Sequence, residues 1–479
     1  MTAATSYRRR AKIVCTIGPA TGTTTQMSAL LKAGMNVARF NLSHGTADGH
    51  SDYIRNLHTA EKRTGIRAAV LIDLPGPKYR IGKLRNGQVQ LRKGRTVKLT
   101  EADIEGDETV LPVTLPQLAK DIRKNDTVIL DDGGILLKVR EITNSDIICR
   151  VTIGGTLLQG RGLVVPGMKS SVPLLTDKLR EGVLFAVREQ PDYLALSFVT
   201  SERDIREVRA ILEASGTSIP IITKIERAEA VADFNPILNA SDGIMIARGD
   251  LGVEMPLEQV PLIQKDLIRR CNRAGKPVIT ATEMLESMIK EARPTRAEAT
   301  DVANAIFDGT DAIMLSAETS IGKYPVEAVK TMARISAAAE KKLRYDDILT
   351  ERREWLVPVT DEVISFNACQ TAYSLKAKVI VAFTQSGSTA MRISKYRPSV
   401  PILALTQDSA VLGRLQLYWG VWPELISEPT LVDHFFMLGA RLTKALGLAK
   451  PGDLVIISAG LPIGEAGSTN MLKVEIVRE

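Results

Sequence analysis

The chain has 479 residues, 44% of them hydrophobic and 24% charged, which suits a globular protein of roughly two to four domains with real cores. Aromatics at 4% weigh against a single-strand nucleic-acid binder, and 62 Lys+Arg against 55 Asp+Glu is a mild excess that leans only slightly toward small anions. No apolar run approaches the roughly 20 residues of a membrane span, and the four cysteines (Cys15, Cys149, Cys271, Cys369) lack the spacing of a zinc or disulfide framework, which fits a reducing, cytoplasmic setting.

In chain order, Arg8-Arg9-Arg10 reads as a solvated tail, since no apolar core follows it as a secretory signal requires. Eight apolar, often β-branched runs come next: Lys12–Gly18, Asn36–Ser43, Ala68–Leu74, Tyr193–Phe198, Pro220–Ile225, Asp242–Arg248, Pro277–Thr282 and Asp311–Ser316. Helix-like segments lie between most of them. In Leu257–Ala274, Leu262, Ile263, Leu267 and Ile268 recur at helical spacing, and Gly275 stands at the C-terminal end. Eight strands alternating with helices predict an α/β fold, a (β/α)8 barrel over residues 1–76 and 173–345. Residues 77–172 interrupt it with turn pairs such as Asn86-Gly87 and alternating runs such as Gln88–Leu91, Thr127–Leu130, Ile135–Val139 and Ile147–Ile153. They predict a small antiparallel β-barrel domain, placed to act as a lid over the C-terminal mouth. Lys341–Glu354 reads as a linker or exposed helix. Residues 346–479 carry strands at Val379–Phe383, Pro401–Leu405 and Asp453–Ser458, predicting an open-sheet α/β domain.

Strand side chains alternate, so Lys224 and Glu226 of Ile221–Arg227 point the same way at the strand's C-terminal end. The next strand ends in Arg248-Gly249-Asp250. Two carboxylates with open positions suit Mg2+ or Mn2+, and a lysine beside them can neutralise a moving phosphoryl group. An ion pair at the barrel rim is the plainer reading. On the second strand Arg39, Asn41 and Ser43 share a face. A buried arginine there wants either a phosphate or a carboxylate such as Asp73.

Ala38–Gly45, Thr223–Arg227, Gly243–Gly252, Ala281–Ile289, Arg293–Ala305 and Met314–Thr319 together resemble the signatures of the pyruvate kinase family, in the family's order. The resemblance covers nearly the whole chain. It implies Mg-dependent phosphoryl transfer between phosphoenolpyruvate and ADP, giving pyruvate and ATP, in a homotetramer that needs neither nucleic acid nor membrane. It implies that Arg39 holds the phosphoryl group and that Lys224 stabilises the transition state. Glu226 and Asp250 would bind the metal, while Gly249, Asp250 and Thr282 would hold the substrate carboxylate. Arg80, His44, Asn41 and the lid residue Asp132 would face the nucleotide. Members that need K+ hold it near positions matching Asn41, Ser43, Asp73, Leu74 and Lys78. Leu74 and Lys78 depart from that pattern, and a Lys78 ammonium would replace the ion, so K+ is expected to be dispensable. Pro75 and Glu283 also depart, without an account.

Thr384-Gln385-Ser386-Gly387-Ser388-Thr389 follows a strand and precedes a helix. It reads as an ordinary helix cap or as a phosphate cradle, and the family uses the matching loop for sugar-phosphate activators. Gly460–Asn470 contains no Lys or Arg, which favours a monophosphate effector over a bisphosphate. Two other readings compete: a Mg-dependent, enolate-forming barrel lyase, and a non-catalytic metabolite sensor or nucleic-acid binder.

Overall fold

The structure is a computed structural model that describes residues 9–143, 145–427, 432–460 and 469–479, without the side chains of 132 and 432–435. Eight parallel strands close into a barrel: β1 (Lys12–Thr16), β2 (Val37–Asn41), β3 (Ala69–Leu74), β4 (Tyr193–Leu196), β5 (Ile221–Ile225), β6 (Gly243–Ala247), β7 (Val278–Ala281) and β8 (Ala312–Leu315). Each falls within a segment predicted as a strand. The period of two sorts their side chains. Val14, Val37, Leu71, Ala195, Ile222 and Met245 fill the interior, whereas Phe40, Ile72, Leu74, Ile225 and Ile246 pack outward on the helices.

Helix Val260–Ala274 ends at Gly275, whose left-handed φ of 71° stops it as expected. Its apolar stripe is narrower than the sequence spacing implies. Leu267 and Ile268 are buried, but Leu262 is 69% exposed because it lies on the outward face of the first turn. The solvated-tail reading is also corrected for Arg9 and Arg10, while Arg8 lies outside the described residues. Arg9 is buried and donates to the Gly34 carbonyl and Asn36 Oδ1, each at 2.7 Å. Arg10 pairs with Glu340 at 3.7 Å. The carboxylate that draws these cations inward comes from a distant helix, so a local reading has no sight of it.

The inserted segment has its own apolar core. It forms a six-stranded sheet, ordered Leu163–Val164, Thr127–Leu130, Ile135–Ile142, Asp146–Ile153, Thr96–Thr100, Val110–Pro112, and a two-stranded pair of Gln88–Leu91 with Gly155–Leu158. It is not antiparallel throughout, since Thr96–Thr100 and Val110–Pro112 run parallel.

The C-terminal sheet has the order Val421–Leu425, Ile402–Thr406, Ile380–Phe383, Leu454–Gly460, Thr469–Ile476, parallel except for the last strand. The charged Lys341–Glu354 stretch carries helix Tyr345–Arg353, which buries Leu349 and Arg352. The turn after helix Ser409–Leu415 closes the base of the barrel. Leu417 joins the interior cluster, and the Tyr193 hydroxyl donates to the Arg414 carbonyl at 2.6 Å. At the opposite, C-terminal end the barrel buries a set of charged side chains, Arg39, Asp73, Lys224 and Glu226.

Candidate active site

At that end the inward-facing positions of β2, β3 and β5 change from apolar to charged. Asp73 joins two cations: Arg39 Nε lies 2.7 Å from its Oδ2 and Lys224 Nζ 3.5 Å from its Oδ1. Arg39 also donates to Thr16 Oγ1 at 2.9 Å. Of the two partners open to Arg39 in the sequence, this structure supplies the carboxylate. Lys224 donates to Ser197 Oγ at 2.7 Å and sits 2.8 Å from Glu226 Oε1. The Phe198 amide donates to the other Glu226 oxygen at 2.8 Å. Ser197, one residue past β4, is thus part of the site although the sequence reading missed it. The signal was present: it is a polar residue, in phase with the interior, at the C-terminal end of a barrel strand.

The cluster is balanced, two cations against two anions, and almost dry. Asp73 and Glu226 are each 1% exposed. Burial works against the Asp73 carboxylate, but Lys224 and Arg39 outweigh it and hold the carboxyl below its usual range. Burial likewise works against the Lys224 ammonium, and Asp73 with Glu226 keeps it charged and raised. At Glu226 burial wins. Lys224 opposes it, Asp250 adds to it, and the carboxyl is raised.

Among the described residues no group of three or more His, Cys, Asp or Glu gathers into a metal cage. The pair Glu226 and Asp250 still fits a divalent ion that takes its other ligands from water and substrate. Glu226 Oε1 is buried without a hydrogen bond, its contact with Lys224 being an ion pair only. A cation placed there would also relieve the mutual repulsion of two neighbouring carboxylates.

Beside the pair, helix Arg248–Glu254 starts directly from β6. The Gly249 amide at its first turn donates to Thr282 Oγ1 at 2.8 Å, and that hydroxyl lies 2.6 Å from the Ala281 carbonyl. Thr282 and Glu283 both adopt left-handed backbone, with φ of 68° and 55°. Neither is glycine, so the turn is strained by about 1–3 kcal/mol per residue. Arg248 holds it: Nη2 donates to the Thr282 carbonyl at 2.6 Å and to the Glu283 carbonyl at 3.2 Å, while Asp301 braces the guanidinium at 2.7 Å. Glu283 therefore serves through its backbone.

Residues 8–329 match the family profile described as pyruvate kinase, barrel domain, and residues 362–475 match pyruvate kinase, alpha/beta domain. The chain belongs to the pyruvate kinase family. A pyruvate kinase of Geobacillus stearothermophilus is 45% identical over 475 residues, covering 98% of this chain and 81% of the relative. One of Sporosarcina psychrophila is 43% identical, covering 98% and 80%. A crystal structure of a pyruvate kinase from Cryptosporidium parvum superposes with a TM-score of 0.93 at 36% identity, over 100% of this chain and 98% of the other. The chain is accordingly an enzyme of the pyruvate kinase type, a phosphotransferase.

The remaining positions that the family resemblance singled out do not all converge. Lys78 sends its ammonium to Asp250 Oδ1, at 2.6 Å, rather than into the space between Asn41, Ser43 and Asp73. Leu74 faces outward, its Cδ2 close to Gly182 of helix Asp177–Glu189, so only its backbone is available at the mouth. Ser43 lies past the end of β2, where strict alternation no longer applies, and its amide donates to Asn41 Oδ1 at 3.1 Å. His44 is exposed, and its carbonyl lies 2.7 Å from His50 Nε2. Arg80, also exposed, donates to the Gly160 carbonyl at 2.9 Å within the inserted domain. The Asp132 side chain lies outside the described residues.

In the C-terminal loop, Gly387 has φ of 89° and opens helix Ser388–Lys395, and Ser386 and Ser388 hydroxyls lie 3.2 Å apart. The Thr384 amide donates to the Leu405 carbonyl at 3.0 Å. Thr389 departs from the cradle reading: it is buried, with its hydroxyl 2.6 Å from that of Thr469. Gln385 stays exposed. Residues 461–468 of the second candidate loop lie outside the described residues.

Proposed function

We propose that the chain transfers the phosphoryl group of phosphoenolpyruvate to ADP, giving pyruvate and ATP, with Mg2+ or Mn2+ held by Glu226 and Asp250. The observation that supports this most is the dry, balanced set Arg39–Asp73–Lys224–Glu226 at the mouth of a barrel of this family. When bound, the divalent ion supplies positive charge to phosphoryl and enolate oxygens. Arg39 has Nε committed to Asp73 and Nη1 to Thr16, so Nη2 is the nitrogen we assign to a phosphoryl oxygen. Lys224, kept charged and steered by Ser197 and Glu226, neutralises the oxygen left behind as the P–O bond breaks. We assign the Thr282 hydroxyl and the amides of Gly249 and Asp250 to the substrate carboxylate, which would exchange for the Gly249–Thr282 and Thr282–Ala281 hydrogen bonds. Arg80, His44, Asn41 and Asp132 are assigned to the nucleotide, with residues 77–172 as the lid that excludes water.

The same reading extends to the features peculiar to this chain. Lys78 carries a fixed positive charge at the mouth, which supports turnover without K+. The Thr384–Thr389 loop, with Gly387 opening a helix, supports a phosphorylated activator, and a monophosphate is favoured. Leu257 and Leu262, 75% and 69% exposed, support burial against further copies in a homotetramer. Among the described residues no helix is long and apolar enough to cross a membrane, and we assign the enzyme to the cytoplasm.

The test is pyruvate formation from phosphoenolpyruvate, followed through NADH oxidation by lactate dehydrogenase. Turnover should require both ADP and a divalent ion. Pyruvate released at the same rate without ADP would mark transfer of the phosphoryl group to water and refute a kinase.

A further inference from the structure

The inserted domain is tied to the barrel by two chain crossings that are held in different ways. The outbound crossing is wedged. A Cβ at Gly76 would stand 2.6 Å from the Ser197 carbonyl oxygen and 2.8 Å from the Phe198 ring. Two residues on, Lys78 is bonded to Asp250. The return crossing has open space beneath it, a cavity of about 260 Å3 lined in part by Ser170, Val172, Phe198, Thr200 and Arg227. Its anchorage is polar. Arg227 Nη2 donates to the Met168 carbonyl at 2.7 Å. Arg227 and Glu254 face each other at 3.7 Å with side chains 9% and 7% exposed, and Glu229 braces the guanidinium at 3.2 Å. Gly167 sits at φ of 73°, turning the strap just before the Met168 carbonyl that Arg227 holds.

The chain positions of the two anchors are informative. Arg227 directly follows Glu226. Glu254 stands four residues after Asp250 on helix Arg248–Glu254, one turn away on the same face. The segments that carry the candidate metal-binding acids therefore also grip both crossings: Asp250 holds the outbound one through Lys78, and Glu254 with Arg227 holds the return one.

We propose that Arg227 and Glu254 are positioning residues that clamp the return strap at Gly167–Met168 and so fix how the inserted domain meets the mouth of the barrel. They act only through the strap and touch no reacting group. The inference rests on the lid reading of residues 77–172 given above. Without the clamp the outbound wedge alone directs the domain, and the free volume beneath the strap lets it pivot. Binding to the lid then weakens, while the barrel floor is untouched.

The experiment is hydrogen exchange by mass spectrometry on the full chain without substrates, read on peptides covering residues 163–175, together with steady-state kinetics. Arg227→Met should raise exchange in the strap about tenfold while barrel-strand peptides exchange as in the wild type. It should raise KM for ADP about tenfold and change KM for phosphoenolpyruvate and kcat less than twofold. Glu254→Gln removes the charge facing Arg227 but leaves the Arg227 bond to the Met168 carbonyl, and should preserve most of the strap's protection. Unchanged strap exchange in Arg227→Met overturns the clamp. So does faster exchange spread through the barrel, or a loss shared equally by both substrates, since each marks a merely structural arginine. Strap exchange is read without turnover, so the clamp stands or falls there, whereas failure of ADP-dependent pyruvate formation by the wild type would strike the functional reading instead.

Discussion

Replacing Lys224 by methionine removes one charge from a cluster that is otherwise neutral. Arg39 and Lys224 balance Asp73 and Glu226, and the side chains of Lys224, Asp73 and Glu226 are 10%, 1% and 1% exposed. The variant leaves two buried carboxylates facing one arginine. Breaking a buried pair by deleting one partner costs about 3–5 kcal/mol, so a substantial drop in Tm is expected. Catalysis should fall further, because no other cation in the cluster reaches both Ser197 and Glu226. Loss of one fixed group that stabilises a developing oxyanion typically costs about 100- to 1,000-fold in turnover, equivalent to ~2.7–4 kcal/mol. The two effects separate in Lys224→Arg. That variant keeps the charge and should recover much of the Tm, yet a planar guanidinium cannot take the ammonium's place, so turnover stays low. The assay is kcat at saturating substrates beside thermal unfolding of the same preparations. Turnover of Lys224→Met within tenfold of wild type would remove this lysine from the chemistry and refute the reasoning.

Activity in tetramethylammonium buffer should be nearly that in K+ buffer, because Lys78 already fixes a positive charge on Asp250 at 2.6 Å; a rise of tenfold or more on adding K+ would reject this. Gly76→Ala should destabilise the chain by about 1–3 kcal/mol and depress kcat, since the new methyl meets the carbonyl of Ser197, the residue that steers Lys224; an unchanged Tm and kcat would contradict it. Burial pushes the Asp192 carboxyl up to about 6, from 3.8 in an unfolded chain. The folded state binds that proton more tightly, so stability falls as pH rises between about 4 and about 6 and the cost persists above. Asp192→Asn keeps an acceptor for the Val70 amide, now 2.7 Å away. It should raise stability at pH 8 by up to about 3 kcal/mol and leave it unchanged near pH 4, as read from Tm against pH.

What the sequence disclosed follows the range over which each interaction acts. The barrel strands were legible because each is a β-branched run ending in polar residues, and the period of two put Arg39 and Lys224 inside. The edge strands Val421–Leu425 and Thr469–Ile476 were missed for the opposite reason. Pro423 argues against a strand except at a sheet edge, which is where it stands, and the last strand has only one fully buried residue and is half polar. Pairings across the fold leave no local trace. Lys78 finds Asp250 172 positions away, and Arg10 meets Glu340 330 positions away. The return strap is the extreme case, since Arg227 reaches a backbone carbonyl 59 positions away. Every residue at Met168 would present the same oxygen, and only the folded backbone decides which oxygen faces the arginine. Residues that hold a catalytic domain in place through its main chain are therefore invisible to motif reading, even when they adjoin a motif as specific as Lys-Ile-Glu. The place to look for them is the buried charge next to a catalytic one whose partner is backbone.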